Sequence, residues 1–230
     1  MMKTLCVAVV VLSLTSVCQP ASLACEKLLK PADTSPELSG TWYTIAVSSD
    51  SCFALALFDA MFLLSVEMGI TSKDTPNIYD ANVKVKINGL CAAESVSIFY
   101  ENNTMFDVDK NNTPTGKPDV LLNSGCPDCI VVKGDDSFNI MVLLSRRKTL
   151  TAAELKEFET QTGCLGWTKT LVLNSDHDYT NCQSIADDDA DFSGFTETLS
   201  QRLKVNYKEP LKCLVQDIMY NPWQWIQSLW

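Results

Sequence analysis

The residues able to carry chemistry are few: ten cysteines, a lone His177, an acidic run and two glycosylation sequons. Cys126-Pro127-Asp128-Cys129 has the spacing of a redox or metal motif. A thioredoxin-like pair opens a helix after a strand, whereas strand-like sequence flanks this one on both sides. A zinc centre needs further ligands, and there is no second Cys-x-x-Cys or histidine pair to supply them. A structural disulfide is the remaining reading. The run Asp187-Asp188-Asp189-Ala190-Asp191 has the look of a calcium loop. Counted from Asp187, however, an EF-hand would need glycine at Phe192 and glutamate at Thr198, so it reads as a solvated acidic linker. His177 lies in the polar stretch Asn174–Tyr179 without a Gly-x-Ser-x-Gly or active-site cysteine context, and reads as a surface histidine. No catalytic residue, metal site or cofactor is expected.

The first 24 residues have a basic start at Lys3, an apolar run from Leu5 to Leu14, and small residues at Ser22 and Ala24. This is the pattern of a cleaved secretory signal, too short to span a bilayer. Cleavage before Cys25 would remove Lys3, Cys6 and Cys18, leaving a charge of −11 and eight cysteines, an even number suited to disulfides. The most apolar later stretch, Phe53–Val66, is broken by Asp59 and is too short to span. The excess of acids makes nucleic acid and anionic membrane surfaces unsuitable electrostatic partners. Sequons at Asn102 and Asn111 lie in turn-like sequence, as surface glycans require.

The elements that position these residues are mostly strands. Val83, Val85 and Ile87 alternate with Lys84, Lys86 and Asn88, and Val96, Ile98 and Tyr100 with Ser95 and Ser97. Such period-two patterning indicates antiparallel strands with one apolar face. Strands are expected near 41–48, 60–70, 79–88, 94–101, 104–109, 118–122, 129–134 and 138–146, separated by turn residues. Eight consecutive strands suggest an up-and-down barrel, where closure removes exposed edges. Thr151-Ala152-Ala153-Glu154 is a capping box, opening a helix through about residue 162 whose Leu155 and Phe158 should pack against the barrel.

Gly40-Thr41-Trp42 on the first strand, and Leu143-Leu144-Ser145-Arg146 closing the last one before the helix, resemble the paired motifs of the lipocalin family. The resemblance implies an all-β fold: an eight-stranded antiparallel up-and-down barrel with one flanking α-helix and a partly helical C-terminal extension. It further implies that Arg146 lies over Trp42 at a closed end begun by Gly40, a cation–indole contact of about 0.5–2 kcal/mol. The turn Asn123–Cys129 departs from the family's Thr-Asp-Tyr motif. Within lipocalins, Cys25–Leu29 and the Leu155–Glu159 stretch before Cys164 resemble the orosomucoid branch. They look closer still to fish plasma members that bind saxitoxin, tetrodotoxin or tributyltin; apolipoprotein M is a more distant resemblance. The implied organisation is a signal over 1–24, a lipocalin domain over 25–185, and an acidic linker with an amphipathic extension over 186–230.

Similarity to orosomucoid implies the pairs Cys25–Cys164 and Cys91–Cys182. Strand direction then places Cys52 at the open mouth and Cys126 and Cys129 at the closed end, too far apart to bridge. The expected remaining pairs are Cys126–Cys129 and Cys52–Cys213.

Small residues on the first strand's presumed inner face, Thr44, Ala46 and Ser48, would leave volume free inside the barrel. Val66, Met68, Val83, Val85, Ile87, Ile98, Tyr100 and Phe106 would then line an apolar cavity, with the Tyr100 hydroxyl available to a polar group. The expected role is that of a secreted, extracellular (plasma) carrier or scavenger of one small hydrophobic or amphipathic molecule, with a toxin or xenobiotic as the specific version that the resemblance to the fish proteins implies. In the tail, Leu211, Leu214, Val215, Ile218 and Met219 follow helical spacing, and Trp223, Trp225, Ile226, Leu229 and Trp230 make an aromatic end. Docking over the barrel is the favoured reading; a lipoprotein or membrane contact is the alternative. A lipocalin enzyme using a free barrel thiol comes third, since eight paired cysteines would leave no such thiol.

Overall fold

The computed structural model describes residues 23–134, 139–180, 182–187 and 192–220. Nearly all of the expected signal segment, and the aromatic end with Trp223, Trp225 and Trp230, lie outside the described residues. Eight strands run β1 (Gly40–Ser49), β2 (Leu64–Ser72), β3 (Ile78–Ile87), β4 (Leu90–Glu101), β5 (Thr104–Val108), β6 (Pro114–Leu122), β7 (Cys129–Gly134) and β8 (Ile140–Ser145). Each pairs antiparallel with the next, and β8 returns to β1, closing the barrel. Hairpin chemistry supports this order. Asn88-Gly89 and Asn102-Asn103 both hold positive φ, the backbone that two-residue hairpins need to match strand twist.

The stretch after β1 departs from the expected strand beginning at residue 60. Instead, Cys52–Met61 forms helix α1, and β2 starts at Leu64. Ser51 caps the helix by accepting from the Ala54 amide. Cys52, Leu55, Ala56 and Ala60 bury one stripe at helical spacing. The alternation that signalled a strand begins only past Leu63. Asn88 fixes this junction, accepting from the Leu63 amide and donating to the Met61 carbonyl.

Helix α2 (Ala152–Cys164) opens on the complete capping box of Thr151 and Glu154. It packs Phe158 and Leu155 on the outer faces of β1, β7 and β8, against Ala46, Val131, Met141 and Leu143. Arg147 donates to Glu154, and this bond with the Thr151 contacts lowers the Glu154 pKa to about 2. Two short strands follow: β9 (Thr170–Val172) extends the sheet beside β1, and β10 (Gln183–Ser184) lies parallel to β4.

The C-terminal helices α3 (Ser193–Asn206) and α4 (Lys208–Tyr220) pack on α1 rather than over the barrel wall. Arg202 of α3 donates to the carbonyls of Asp59 and Phe62 at the end of α1, and Phe195 approaches Phe62 at 6.5 Å between ring centroids. Helix α1 offers α4 the apolar surface it would otherwise find only on the barrel. Four disulfides join Cys25 to Cys164, Cys52 to Cys213, Cys91 to Cys182 and Cys126 to Cys129, with Cα separations of 5.4, 5.4, 5.6 and 5.2 Å. All fall within the range a disulfide bridges. Of the described helices, none is long and apolar enough to cross a membrane.

Candidate functional site

Register decides which side chains face the lumen. Trp42 pairs with Met68, Met68 with Val83, and Ala81 with Val96, so these rows point inward together. At the closed end the inward rows pack into one buried cluster. Leu38 and Ala81 are almost wholly buried there, together with Trp42, Ile70 and Leu144. The Trp42 indole N–H donates to the Leu38 carbonyl at 2.7 Å, and the Arg146 guanidinium carbon sits 3.9 Å from the Trp42 ring centre. Arg146 also donates to the Glu37 carbonyl at 2.9 Å. Gly40 is required beside it: its φ is +108°, and a Cβ would collide with the Arg146 Nη1.

Above this floor the same rows stop filling the space. A cavity of about 400 Å³ remains, with Leu38, Ile130 and Leu144 at its base and Met68, Val83, Ile98 and Met105 along its wall. Val83 is only partly buried, and Val96, also inward by register, is 41% exposed. An apolar side chain that points inward and still meets solvent lines a lumen rather than a packed core. Among the described residues, the charged ones of the lining are Asp107, Lys117 and Asp119, all on β5 and β6.

The residues expected to line a cavity fall into five groups. Met68, Val83, Ile98 and Phe106 do line it. Val66, Val85 and Ile87 share the inward register of Met68 and Val83 but stand towards the mouth, half-buried and outside the cavity lining. Thr44 faces inward opposite Leu144 and is buried, also off the lining. Tyr100 belongs to the floor, where its hydroxyl lies within reach of the Pro36 carbonyl and the Asn103 side chain. Burial raises its pKa.

Ala46 and Ser48 are the corrections. The β1–β8 register slips between Thr44 and Ala46, which turns the rest of β1 over. Ala46 is therefore outside, sealed under α2 with Leu143 and Phe158. Ser48 is outside too, its hydroxyl donating to the Lys169 carbonyl at 2.6 Å. A one-residue slip exchanges the faces of a strand, and side-chain alternation alone does not reveal where it occurs.

His177 is also misplaced by the sequence reading: it is 8% exposed, not a surface residue. It stacks on Tyr43 outside the barrel at 4.7 Å between centroids, with Nδ1 3.4 Å from the Tyr179 hydroxyl and Nε2 buried without a hydrogen-bond partner. Burial, reinforced by Lys148, lowers its pKa, against weaker pulls from Glu67 and Asp176. Among the described residues no cluster of three or more potential ligands suits a metal ion. Asp107 and Asp119 are not expected in the lining because charged positions in an alternating strand are ordinarily outward, and Lys117 because it falls in the turn before the strand expected at 118. The strand expected near residue 118 in fact begins at Pro114, which carries Gly116 and Lys117 from the expected turn into the wall.

A family model described as the ApoM domain matches residues 4–184. No curated protein sequence matches the chain. Among solved structures, the siderocalin Ex-FABP, described as functioning through dual ligand specificities, aligns with a TM-score of 0.50 at 16% identity. That alignment covers 65% of this chain and 99% of Ex-FABP. Siderocalin Q83, described as having a dual ligand binding mode, aligns at 0.48 and 18% identity, over 62% of this chain and 92% of Q83. At such identities the likeness to Ex-FABP speaks for the fold alone.

Proposed function

The chain belongs to the ApoM-domain family, and from that premise we propose that it is a secreted carrier or scavenger of one small lipophilic or amphipathic molecule, held reversibly in the barrel. The carrying observation is the cavity of about 400 Å³ whose inward apolar residues remain in contact with solvent. Affinity would come from removing apolar surface from water, roughly 25 cal/mol per Å² before the costs of association. Asp107, Lys117 and Asp119 would orient the polar end of the ligand. Toxin or xenobiotic scavenging is the specific version suggested by resemblance to the orosomucoid branch and the fish plasma lipocalins. Secretion follows from the expected signal over 1–24 and suits four disulfides. Asn102, exposed in the β4–β5 hairpin, and Asn111, exposed in the β5–β6 loop at the mouth, are the proposed glycan acceptors.

Native mass spectrometry of the protein purified from its source fluid tests this reading. One small molecule bound per chain is expected; a chain that arrives empty and takes up no apolar fluorescent probe would overturn it.

A second reading is favoured by one observation. Tyr207, Leu211 and Val215 lie four residues apart across α3 and α4, about half exposed, and Lys204, Lys208 and Lys212 repeat at the same spacing. Such a face suits a lipid or lipoprotein surface. Unchanged lipoprotein co-flotation after Tyr207, Leu211 and Val215 are together replaced by glutamate would exclude this face as the anchor.

A further inference from the structure

The β5–β6 ladder is broken where the cavity meets it. Met105 pairs with Asp119, and the next pairs are Asp107 with Thr115 and Val108 with Pro114. Between those pairs β5 spends one residue, Phe106, and β6 spends three, Gly116, Lys117 and Pro118. A surplus on one strand bulges it away from its partner and interrupts the hydrogen bonding. Pro118 has no N–H to restore it. Gly116 sits at φ +75°, and a Cβ built on it would meet nothing within 4 Å.

The cavity reaches this seam. Phe106, Asp107, Gly116, Lys117 and Asp119 all belong to its lining, and among the described residues they include every charged one there. Phe106 pairs with the outward Phe99 and still borders the cavity, as a side chain beside a bulge can. The opposite side of the mouth is occupied. Helix α1 stands against β1 and β9, with α3 and α4 packed on it and Cys52 bonded to Cys213. In an eight-stranded ring β5 lies across from β1, so the seam is on the side those helices leave uncovered.

Resting on the carrier reading above, we infer that the bulge Gly116-Lys117-Pro118 forms a lateral portal through the β5–β6 wall. The ligand passes this portal apolar end first, and its polar end comes to rest between Asp107, Lys117 and Asp119. The ligand class is thus a single amphiphile whose apolar part fits the inner cavity and whose polar part lies at the wall. Water meets the polar end at the seam, and the floor takes the rest.

Stopped-flow association of the fluorescent probe N-phenyl-1-naphthylamine tests the portal. Lys117→Cys carrying a bulky maleimide is compared with Leu63→Cys carrying the same group beside α1. Unlabelled Lys117→Cys controls for the lost charge, and Lys117→Trp repeats the block without adding a thiol to a disulfide-bonded chain. Bulk at position 117 should slow association at least tenfold, with under twofold change from bulk at position 63. Equal slowing at both positions, or none at 117, would overturn the portal and leave the carrier reading standing. Failure of the unmodified protein to bind the probe at all would overturn both.

Discussion

At the closed end of the barrel, Trp42 gives its N–H to Leu38 and its ring face to Arg146, and Gly40 leaves the arginine room. A few residues up the same strands, Val83 and Val96 point into the same lumen and remain in contact with solvent. Both regions come from alternating apolar strands. They differ because an indole, a guanidinium and the segment before β1 plug one end, while at the other the inward side chains line an open cavity beside a slipped ladder. Burial at the closed end goes into stability. The apolar area exposed above it is area that a bound molecule can remove from water.

Substitutions at the two levels should therefore separate stability from binding. Trp42→Ala should lower the unfolding free energy most, by roughly 3–5 kcal/mol, since it empties a fully packed site. In the same urea titration Val83→Ala should cost less than about 1.5 kcal/mol, the low end for a side chain only partly buried. Comparable losses at both positions would break the distinction. Gly40→Ala should cost about 1–3 kcal/mol through strained backbone and the clash with Arg146. The double change with Arg146→Ala should be less than additive; strict additivity would show that the clash is not the cause. Arg146→Gln removes the cation over the indole and should cost about 0.5–2 kcal/mol, with probe affinity unchanged.

The smallest effect concerns His177, on the outside of the barrel. Its pKa is lowered in the folded chain, so the unfolded chain binds the proton more readily. Stability should fall as pH drops through about 6.5, the ordinary histidine value, and the loss should level off below the folded pKa. His177→Phe should flatten that part of the melting-temperature profile. An unaltered slope would assign it to other groups.

Much of this was legible because barrel strands are strictly periodic. The inward row Met68, Val83 and Ile98 follows from alternation, and the capping box at Thr151 and Glu154 from residue identity alone. Most of what could not be read in the barrel wall comes from long-range register. Ala46 and Ser48 sit beyond a slip that only the pairing of β1 with β8 reveals. Asp107 and Asp119 look outward in sequence but pair with the inward Ile98 and Met105, and Lys117 joins them beside the β5–β6 slip. Helix α1 was obscured differently. Its Phe53–Phe58 run is apolar nearly throughout, and a short apolar run does not distinguish a buried helix from a strand. His177 lies among polar neighbours, and its burial comes from Tyr43, distant in sequence.

The central claim is that the space above the closed end is a binding site for one small molecule. Fluorescence titration of N-phenyl-1-naphthylamine against the unmodified protein and Val83→Trp tests it most directly. The indole of the variant would project into the cavity from a wall position that is not tightly packed. One probe per chain is predicted for the unmodified protein, with affinity at least tenfold weaker in Val83→Trp and the melting temperature retained. Equal probe binding by both proteins would contradict the claim.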